Sequence, residues 1–421
     1  MAVSSMYRLK PGRATTTALA SLFSGQMVNA LAGLVLVKAV AVYVPPGEWG
    51  VYSLALSAMT LGHALLIGPV LQSLKVAQAN DGWLAVLPFY RRVLLSIYAL
   101  VLVAAGVAGW WSGHLFMAGL VWLAAIGQGL YSLSSEFMNL SGRFKTFSVI
   151  QASYGFINLV LFGGIVVLGG NANANGLWLV LVLLNGLFAT ATALLMRRHL
   201  GTLPMPKLLP PSSAELLTHL RRFAAPLVSL AVASWLVNYA DRYLISYLLN
   251  TADVGIYSIG YGVGSKILLL VGPFIIHLSS RLYQLRSNGG NGQAAWQLQR
   301  RYLFPYAGLG LLACLIFYLG QDVIGPVVLS EQYRAAFAIG PIIAGGYLCL
   351  TLINLLEIKW YVYSQTHYLL LHTSLGAMVN IGLNLLLIPA MGLIGAALAT
   401  LIGYLTQLLV VGWLYRRSLT H

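Results

Sequence analysis

Carboxylates are scarce in this chain: nine Asp and Glu stand in 421 residues, against 24 Lys and Arg. Charged residues of either sign make up only 8% of the sequence, 59% are hydrophobic, and the mean hydropathy is +0.82. An ordinary globular domain carries about a quarter of its residues charged, so this balance points to an all-α, polytopic membrane protein. Cysteine is nearly missing too. Cys314 and Cys349 both fall inside apolar stretches, which leaves no disulfide framework and no Cys metal site. The chain also lacks a phosphate-binding Walker loop, a metal-binding His and acid cluster, and a large outer loop with paired acids, the features that membrane glycosyltransferases, polymerases and ligases need. No catalytic residue, metal or cofactor is therefore expected.

Hydropathy gives about twelve spans, near 15–44, 50–72, 91–110, 115–138, 147–169, 177–196, 223–249, 254–280, 302–320, 336–363, 367–388 and 393–415. The first apolar run follows Arg8, Lys10 and Arg13 and is about twice as long as a cleavable signal core, so it reads as a membrane helix. With a cytoplasmic N-terminus, 19 of the 24 basic residues lie in cytoplasmic loops, four lie inside spans and only Arg334 is outside. This sorting follows the positive-inside rule and puts both termini in the cytoplasm. The net charge of +15 is thus a topology signal and implies membrane lipid headgroups, not nucleic acid, as its partner.

The longest loop holds Pro204, Pro206, Pro210 and Pro211, a stiff linker before a short amphipathic helix starting near Ser212. It divides the chain into a lobe over 1–200, a linker over 201–222 and a lobe over 223–421, six spans each. The lobes share a repeat: Glu48-Trp49-Gly50-Val51-Tyr52-Ser53 recurs as Asp253-Val254-Gly255-Ile256-Tyr257-Ser258, an offset of 205 residues. Because each lobe has an even number of spans, the copies share an orientation, and a pseudo-two-fold axis along the membrane normal is expected. A recurrent helix corner is the plainer explanation of a six-residue match.

Four cations, Lys38, Arg242, Lys266 and Lys359, lie inside the spans, with the acids Asp241 and Glu357. A cation at the centre of a bilayer costs about 2.5–3.5 kcal/mol on insertion scales, so it faces a wet cavity, a carboxylate or an anionic ligand. Lys266 stands about 12 residues below the 254 corner, roughly 18 Å down and near the midplane. Arg242 and Lys38 are shallower, and Lys359 is expected to snorkel to the inner headgroups. On the seventh span Trp235, Asn238, Tyr239, Arg242 and Ser246 share one helical face, which is expected to look inward. A guanidinium fork suits phosphate oxygens, and aromatic rings with amide donors suit sugars. Packing of the rings and pairing of Arg242 with a carboxylate is the alternative. Asp241 and Arg242 are adjacent and diverge by about 100° on a helix, so Asp241 is expected to pair with Lys266 or Lys38. Asp241 and Glu357 admit a second role as proton or sodium sites.

The run Asp241-Arg242-Tyr243-Leu244 followed by Ala252-Asp253-Val254-Gly255-Ile256-Tyr257-Ser258 resembles a corner of the polysaccharide-biosynthesis and O-antigen-type oligosaccharide-lipid flippase family, in the multidrug, oligosaccharidyl-lipid and polysaccharide exporter superfamily. Pro46-Gly47-Glu48-Trp49-Gly50-Val51-Tyr52-Ser53-Leu54-Ala55 is similar to that family's first corner, and Pro389-Ala390-Met391-Gly392-Leu393-Ile394-Gly395-Ala396-Ala397 to its last. Lys38-Ala39-Val40-Ala41-Val42-Tyr43 departs from the family's usual pattern at the first corner.

The resemblance implies a flippase of the bacterial inner membrane. Its cargo is an anionic, undecaprenyl-pyrophosphate-type lipid-linked oligosaccharide of lipopolysaccharide or related glycan synthesis, moved by alternating access through a cationic cavity while the tail stays among bilayer chains. Glycosyltransferases and a polysaccharide polymerase are the implied partners. Arg242, Lys266, Lys38, Trp235, Asn238 and Tyr239 are the candidate cavity residues. A drug-cation antiporter of the same superfamily, a peptidoglycan-precursor flippase and a non-transporting membrane enzyme are the alternatives; the first needs an acidic pocket, the second two extra helices, and the third larger loops.

Overall fold

The computed structural model describes residues 13–141, 143–169, 172–201, 211–266, 272–363, 365 and 367–417, and every described element is helical. Arg8, Lys10, Lys207 and the prolines at 204, 206 and 210 lie outside the described residues. The helices are α1 (Arg13–Tyr43), α2 (Pro46–Gly62), α3 (Gly68–Asp81), α4 (Trp83–Ser112), α5 (Leu115–Leu140), α6 (Phe144–Gly169) and α7 (Ala174–Leu200). They continue as α8 (Ser213–Leu248), α9 (Thr251–Gly264), α10 (Gly272–Ser287), α11 (Gly292–Leu319), α12 (Gln321–Val328), α13 (Ala336–Val362) and α14 (His367–Arg417).

Among the described residues, ten helical stretches are long and apolar enough to cross a membrane. The expected twelve spans map onto them with two adjustments. The 51-residue α14 contains the last two spans, broken at Gly392, whose φ of 60° is a left-handed conformation that glycine adopts without a Cβ penalty. The eighth span is shared by α9 and α10, and residues 267–271 between them lie outside the described set. Between α2 and α3, residues His63–Ile67 form a π turn in which Gly68 N–H bonds His63 O. Pro69 follows directly; it has no N–H to offer and its ring crowds the carbonyl four residues back, so the widened turn relieves it.

Local chemistry sets the ends. Asn173, Asn250 and Asn291 cap α7, α9 and α11, accepting from Gly176 N at 2.8 Å, Asp253 N at 2.9 Å and Ala294 N at 3.0 Å. Ser212 and Glu215 form a reciprocal capping box at the head of α8. No separate amphipathic helix precedes the seventh span: Ser213–Leu248 is one helix of 36 residues.

The chain packs as two compact units, residues 1–32 with 55–232, and residues 33–54 with 233–421. In the first, α5 lies against α4, α6 and α7, around a core that includes Trp83, Tyr90, Phe137 and Leu184. The head of α8 joins that core through Leu216 and Leu220, and His219 Nδ1 lies 3.1 Å from Ser73 Oγ. In the second, α13 is central and packs on α9, α10, α11, α12 and α14. Gly260 and Gly264 let α9 approach closely: a Cβ at Gly264 would stand 2.4 Å from Gly340 O.

Residues 33–54 belong in sequence to the expected first lobe, yet they pack within the second unit. The repeat is the reason. A Cβ at Gly50 would fall 1.9 Å from Thr251 O, and a Cβ at Gly255 would fall 1.9 Å from Pro46 O. Positions 46 and 251, like 50 and 255, differ by the repeat offset of 205. The two copies of the corner thus clasp one another reciprocally, which a chance recurrence of a helix corner does not require.

Candidate functional site

The polar face of α8 meets α9, α13 and α14 in a buried nest. Asp241 is fully buried and accepts from Tyr257 Oη at 2.6 Å. Tyr257 Oη lies 3.2 Å from Thr400 Oγ1, to which Asn380 Nδ2 donates at 3.4 Å. Asn384 Nδ2 donates to Asn380 Oδ1 at 3.1 Å, while the buried Asn384 Oδ1 has no partner among the described residues. Asn238 Oδ1 accepts from Tyr404 Oη at 2.8 Å, and Tyr347 Oη donates to Tyr261 Oη at 3.0 Å.

Arg242 fills the centre of this nest and is 7% exposed. One Nη donates to Asn238 O at 2.6 Å and to Asp241 Oδ1 at 3.2 Å. Its guanidinium stacks over Tyr239 at 4.9 Å and Tyr261 at 4.6 Å. The expected divergence of Asp241 from Arg242 is therefore overturned. The flexible arginine stem folds back one turn, and the short aspartate reaches its own neighbour instead of Lys266 or Lys38. Trp235 stacks with Tyr239 and tilts against Tyr243 at 6.2 and 5.6 Å between centroids, and Tyr243 Oη donates to Leu54 O at 3.0 Å.

The other intramembrane charges go elsewhere. Lys38 Nζ donates to Leu329 O at 2.7 Å and Pro326 O at 3.1 Å, so it caps the C-terminal end of α12 where unpaired carbonyls carry negative dipole charge. Beside it, Gln332 Nε2 donates to Ala41 O at 2.6 Å and Tyr333 Oη to Val44 O at 3.0 Å, and Ser330 Oγ also bonds Ala41 O. These bonds hold the end of α1 within the second unit. Lys359 does not snorkel. It is 1% exposed, with its ammonium 4.5 Å from the Tyr415 ring centre, because the aromatic cluster of Trp360 and Tyr415 encloses it. Glu357 Oε1 stands 2.9 Å from His372 Nε2, a pairing that its span position did not announce.

Lys266 is different. It is half-buried, has no hydrogen-bond or ion-pair partner among the described residues, and a Cβ at Gly33 would lie 3.6 Å from its Nζ. Of the four cations it alone keeps an uncommitted ammonium there.

The sequence pointed to Asn238, Tyr239, Asp241 and Arg242, which do come together, but not to the tyrosines that enclose them. Tyr257 sits in the repeat and Tyr261 one turn later, a usable signal; Tyr347 and Tyr404 are lone tyrosines in apolar spans and carry none. One polar face in the first unit serves helix packing. Tyr154 Oη donates to Asn185 Oδ1 at 2.7 Å, and Asn185 Nδ2 to Ala124 O at 3.1 Å.

No protein-family model and no curated protein sequence matches the chain. Solved structures do. The lipid II flippase MurJ in an inward closed conformation is similar at a TM-score of 0.70 and 12% identity, covering 95% of this chain and 87% of that one. An outward-facing multidrug resistance MATE family transporter of the MOP superfamily aligns at 0.64 and 12%, covering 99% and 97%. The MATE transporter VcmN of Vibrio cholerae aligns at 0.63 and 16%, covering 100% and 98%. At these identities the likeness establishes the fold, that of MATE transporters and the MurJ flippase.

Proposed function

We propose that this protein is a transporter of the bacterial inner membrane that flips an anionic lipid-linked oligosaccharide, of the undecaprenyl-pyrophosphate type, by alternating access. Both termini are cytoplasmic, in keeping with the basic loops. The observation that carries the proposal is Lys266: an ammonium roughly 18 Å below the corner, near mid-membrane by helical rise, with no protein carboxylate beside it among the described residues. A group so placed is expensive unless an anion or water meets it. The pyrophosphate contact is assigned to Lys266, with Trp235 and Tyr239 as sugar-stacking surfaces. Arg242 serves as a buried positioning charge.

The nest around Arg242 weighs against a drug-cation antiporter. Such a carrier needs an acidic, aromatic cage for its cargo, and here Asp241, Tyr239 and Tyr261 form one that the protein's own guanidinium occupies. Asp241 takes the coupling role, for a proton or sodium: through Tyr257 it joins a buried polar chain of Thr400, Asn380 and Asn384.

The test is surface glycan display in a deletion strain complemented with variants at matched membrane abundance. Lys266→Ala abolishes display and Lys266→Arg restores most of it, while resistance to ethidium and norfloxacin stays unchanged in every strain. Normal display by Lys266→Ala, or ethidium resistance that depends on the wild-type protein, refutes the assignment.

A further inference from the structure

Within the second unit, one face of α14 ahead of the Gly392 break carries His372, Gly376, Asn380 and Asn384 at four-residue intervals, and all four are buried. Toward Asn384 this stripe is committed, since Asn380 and Asn384 join Thr400, Tyr257 and Asp241. Toward His372 it is not. Gln407, from the far half of α14, lies across Gly376, where a Cβ would collide with it, and its buried Nε2 has no partner among the described residues. One turn further, His372 is also buried and its Nδ1 has none either. His372 Nε2 stands 2.9 Å from Glu357 Oε1 without the alignment of a hydrogen bond.

A polar side chain that only packs helices together bonds across the contact, as Asn185 does to Ala124 O. Burying the nitrogens of Gln407 and His372 without partners is costly, and water between them would relieve it. The two ends of the stripe give it a direction. Of the five carboxylates in residues 233–421, only Asp241 and Glu357 lie inside spans, and the stripe joins them. Glu357 and His372 stand five residues inside the facing ends of α13 and α14, about 8 Å by helical rise, at the end that the basic loops assign to the cytoplasm. The Glu357 side chain keeps 15% of its surface exposed.

Few other charges bear on that pair. Lys359 turns about 200° away from Glu357 onto the Tyr415 ring, while Tyr361 and Tyr368 lie one turn from Glu357 and His372. From α10, Arg286 stacks on Tyr363, and from the far half of α14, Arg417 stacks on Trp413. From α11 the neutral Gln299 bonds Leu355 O and Leu356 O. The helices α9 and α12 meet α13 around Phe337 and Gly340, far from Glu357. Neither Glu357 nor His372 makes another ion pair among the described residues.

Resting on the flippase assignment, we infer that the ion exchanged for the cargo is a proton, and that it runs from Asp241 along this face of α14 to His372, Glu357 and the cytoplasm. Water held by Asn380 and Gln407 carries it over the eight residues, roughly 12 Å, that separate Asn380 from His372. A proton arriving at Nδ1 of the neutral ring leaves from Nε2 to Glu357 Oε1, and the carboxyl releases it to cytoplasmic water; tautomer exchange resets the ring. Sodium has no such route. Hard cations take oxygen ligands, and the step before Glu357 is an imidazole.

Charge movement in the purified protein tests this without cargo. Proteoliposomes of phosphatidylethanolamine and phosphatidylglycerol are adsorbed on a solid-supported membrane electrode, and transient currents are recorded on a pH jump and, at constant pH, on a sodium jump. The wild type should respond to the pH jump and not to sodium. Glu357→Gln should lower the response at least tenfold, as should His372→Gln, which keeps a polar side chain of similar length but cannot pass a proton on. Gln407→Met removes no titratable group and should slow the transient at least tenfold, which keeps the stripe testable if a variant of the pair does not fold. In the deletion strain, Glu357→Gln at matched abundance should lower glycan display at least tenfold, while Tyr361→Phe, on the half-exposed neighbour, changes neither readout. A sodium transient in the wild type, pH transients that survive His372→Gln or Gln407→Met, or normal display by Glu357→Gln overturns the inference. If the transients behave as expected but display does not depend on the wild-type protein, the flippase assignment falls and the proton route stands.

Discussion

Adding one methyl group at Gly50 is a sharp test of the reciprocal corner. The new Cβ would stand 1.9 Å from Thr251 O, where ordinary contact starts at 3.4 Å, so the head of α2 and the head of α9 must part by about 1.5 Å. Overpacking of this kind typically costs 1–3 kcal/mol, and about 2 kcal/mol lowers the ratio of packed to unpacked corner roughly 30-fold. Val44 reports the change, since it is fully buried and its carbonyl accepts from Tyr333 Oη. In a background with Cys314 and Cys349 replaced by Ala, the maleimide labelling rate of Val44→Cys should rise about 30-fold on adding Gly50→Ala. Gly255→Ala should do the same, because it presses on the same gap from the other side. The double variant should then resemble either single one, whereas independent sites would multiply to about 900-fold. Additive effects, or a Gly50→Ala protein that labels like its parent, would falsify the reciprocal contact.

Asp241→Asn strips the buried guanidinium of its carboxylate and should destabilise the protein by about 3–5 kcal/mol, seen as loss of folded protein in detergent; Asp241→Asn with Arg242→Met should recover most of it. Lys38→Met keeps the apolar stem but removes two charge-assisted bonds to the end of α12, each worth about 1.5–3 kcal/mol, so Val44→Cys labelling should accelerate while surface glycan display is unaltered once protein abundance is matched.

Much of the architecture was written in composition and period. Apolar runs about 20 residues long, with basic residues gathered between them, placed the helices within two residues of Leu115–Leu140 and Ala336–Val362, whereas Trp83–Ser112 begins eight residues before the expected start at 91. The head of α8 was expected near Ser212, where the structure begins it. What escaped was the reach of flexible side chains. A helical wheel fixes where Arg242 leaves the backbone, and it suggested divergence from Asp241; four rotatable bonds let the guanidinium return to it. Lys359 and Lys38 escaped for a related reason. Hydropathy gives the depth of a lysine but not whether a tyrosine ring or the carbonyls of a helix end wait beside it. Membership of residues 33–54 in the second unit was equally hidden, although the repeated glycine that permits it was in plain view.

The guanidinium inside the tyrosine nest is a ligand tethered by its own backbone. Its local concentration is fixed by the covalent tether, so neither dilution nor a soluble competitor at ordinary concentration displaces it readily. It departs only when α8 or its neighbours alter their shape, which makes the seat responsive to conformation and indifferent to dose.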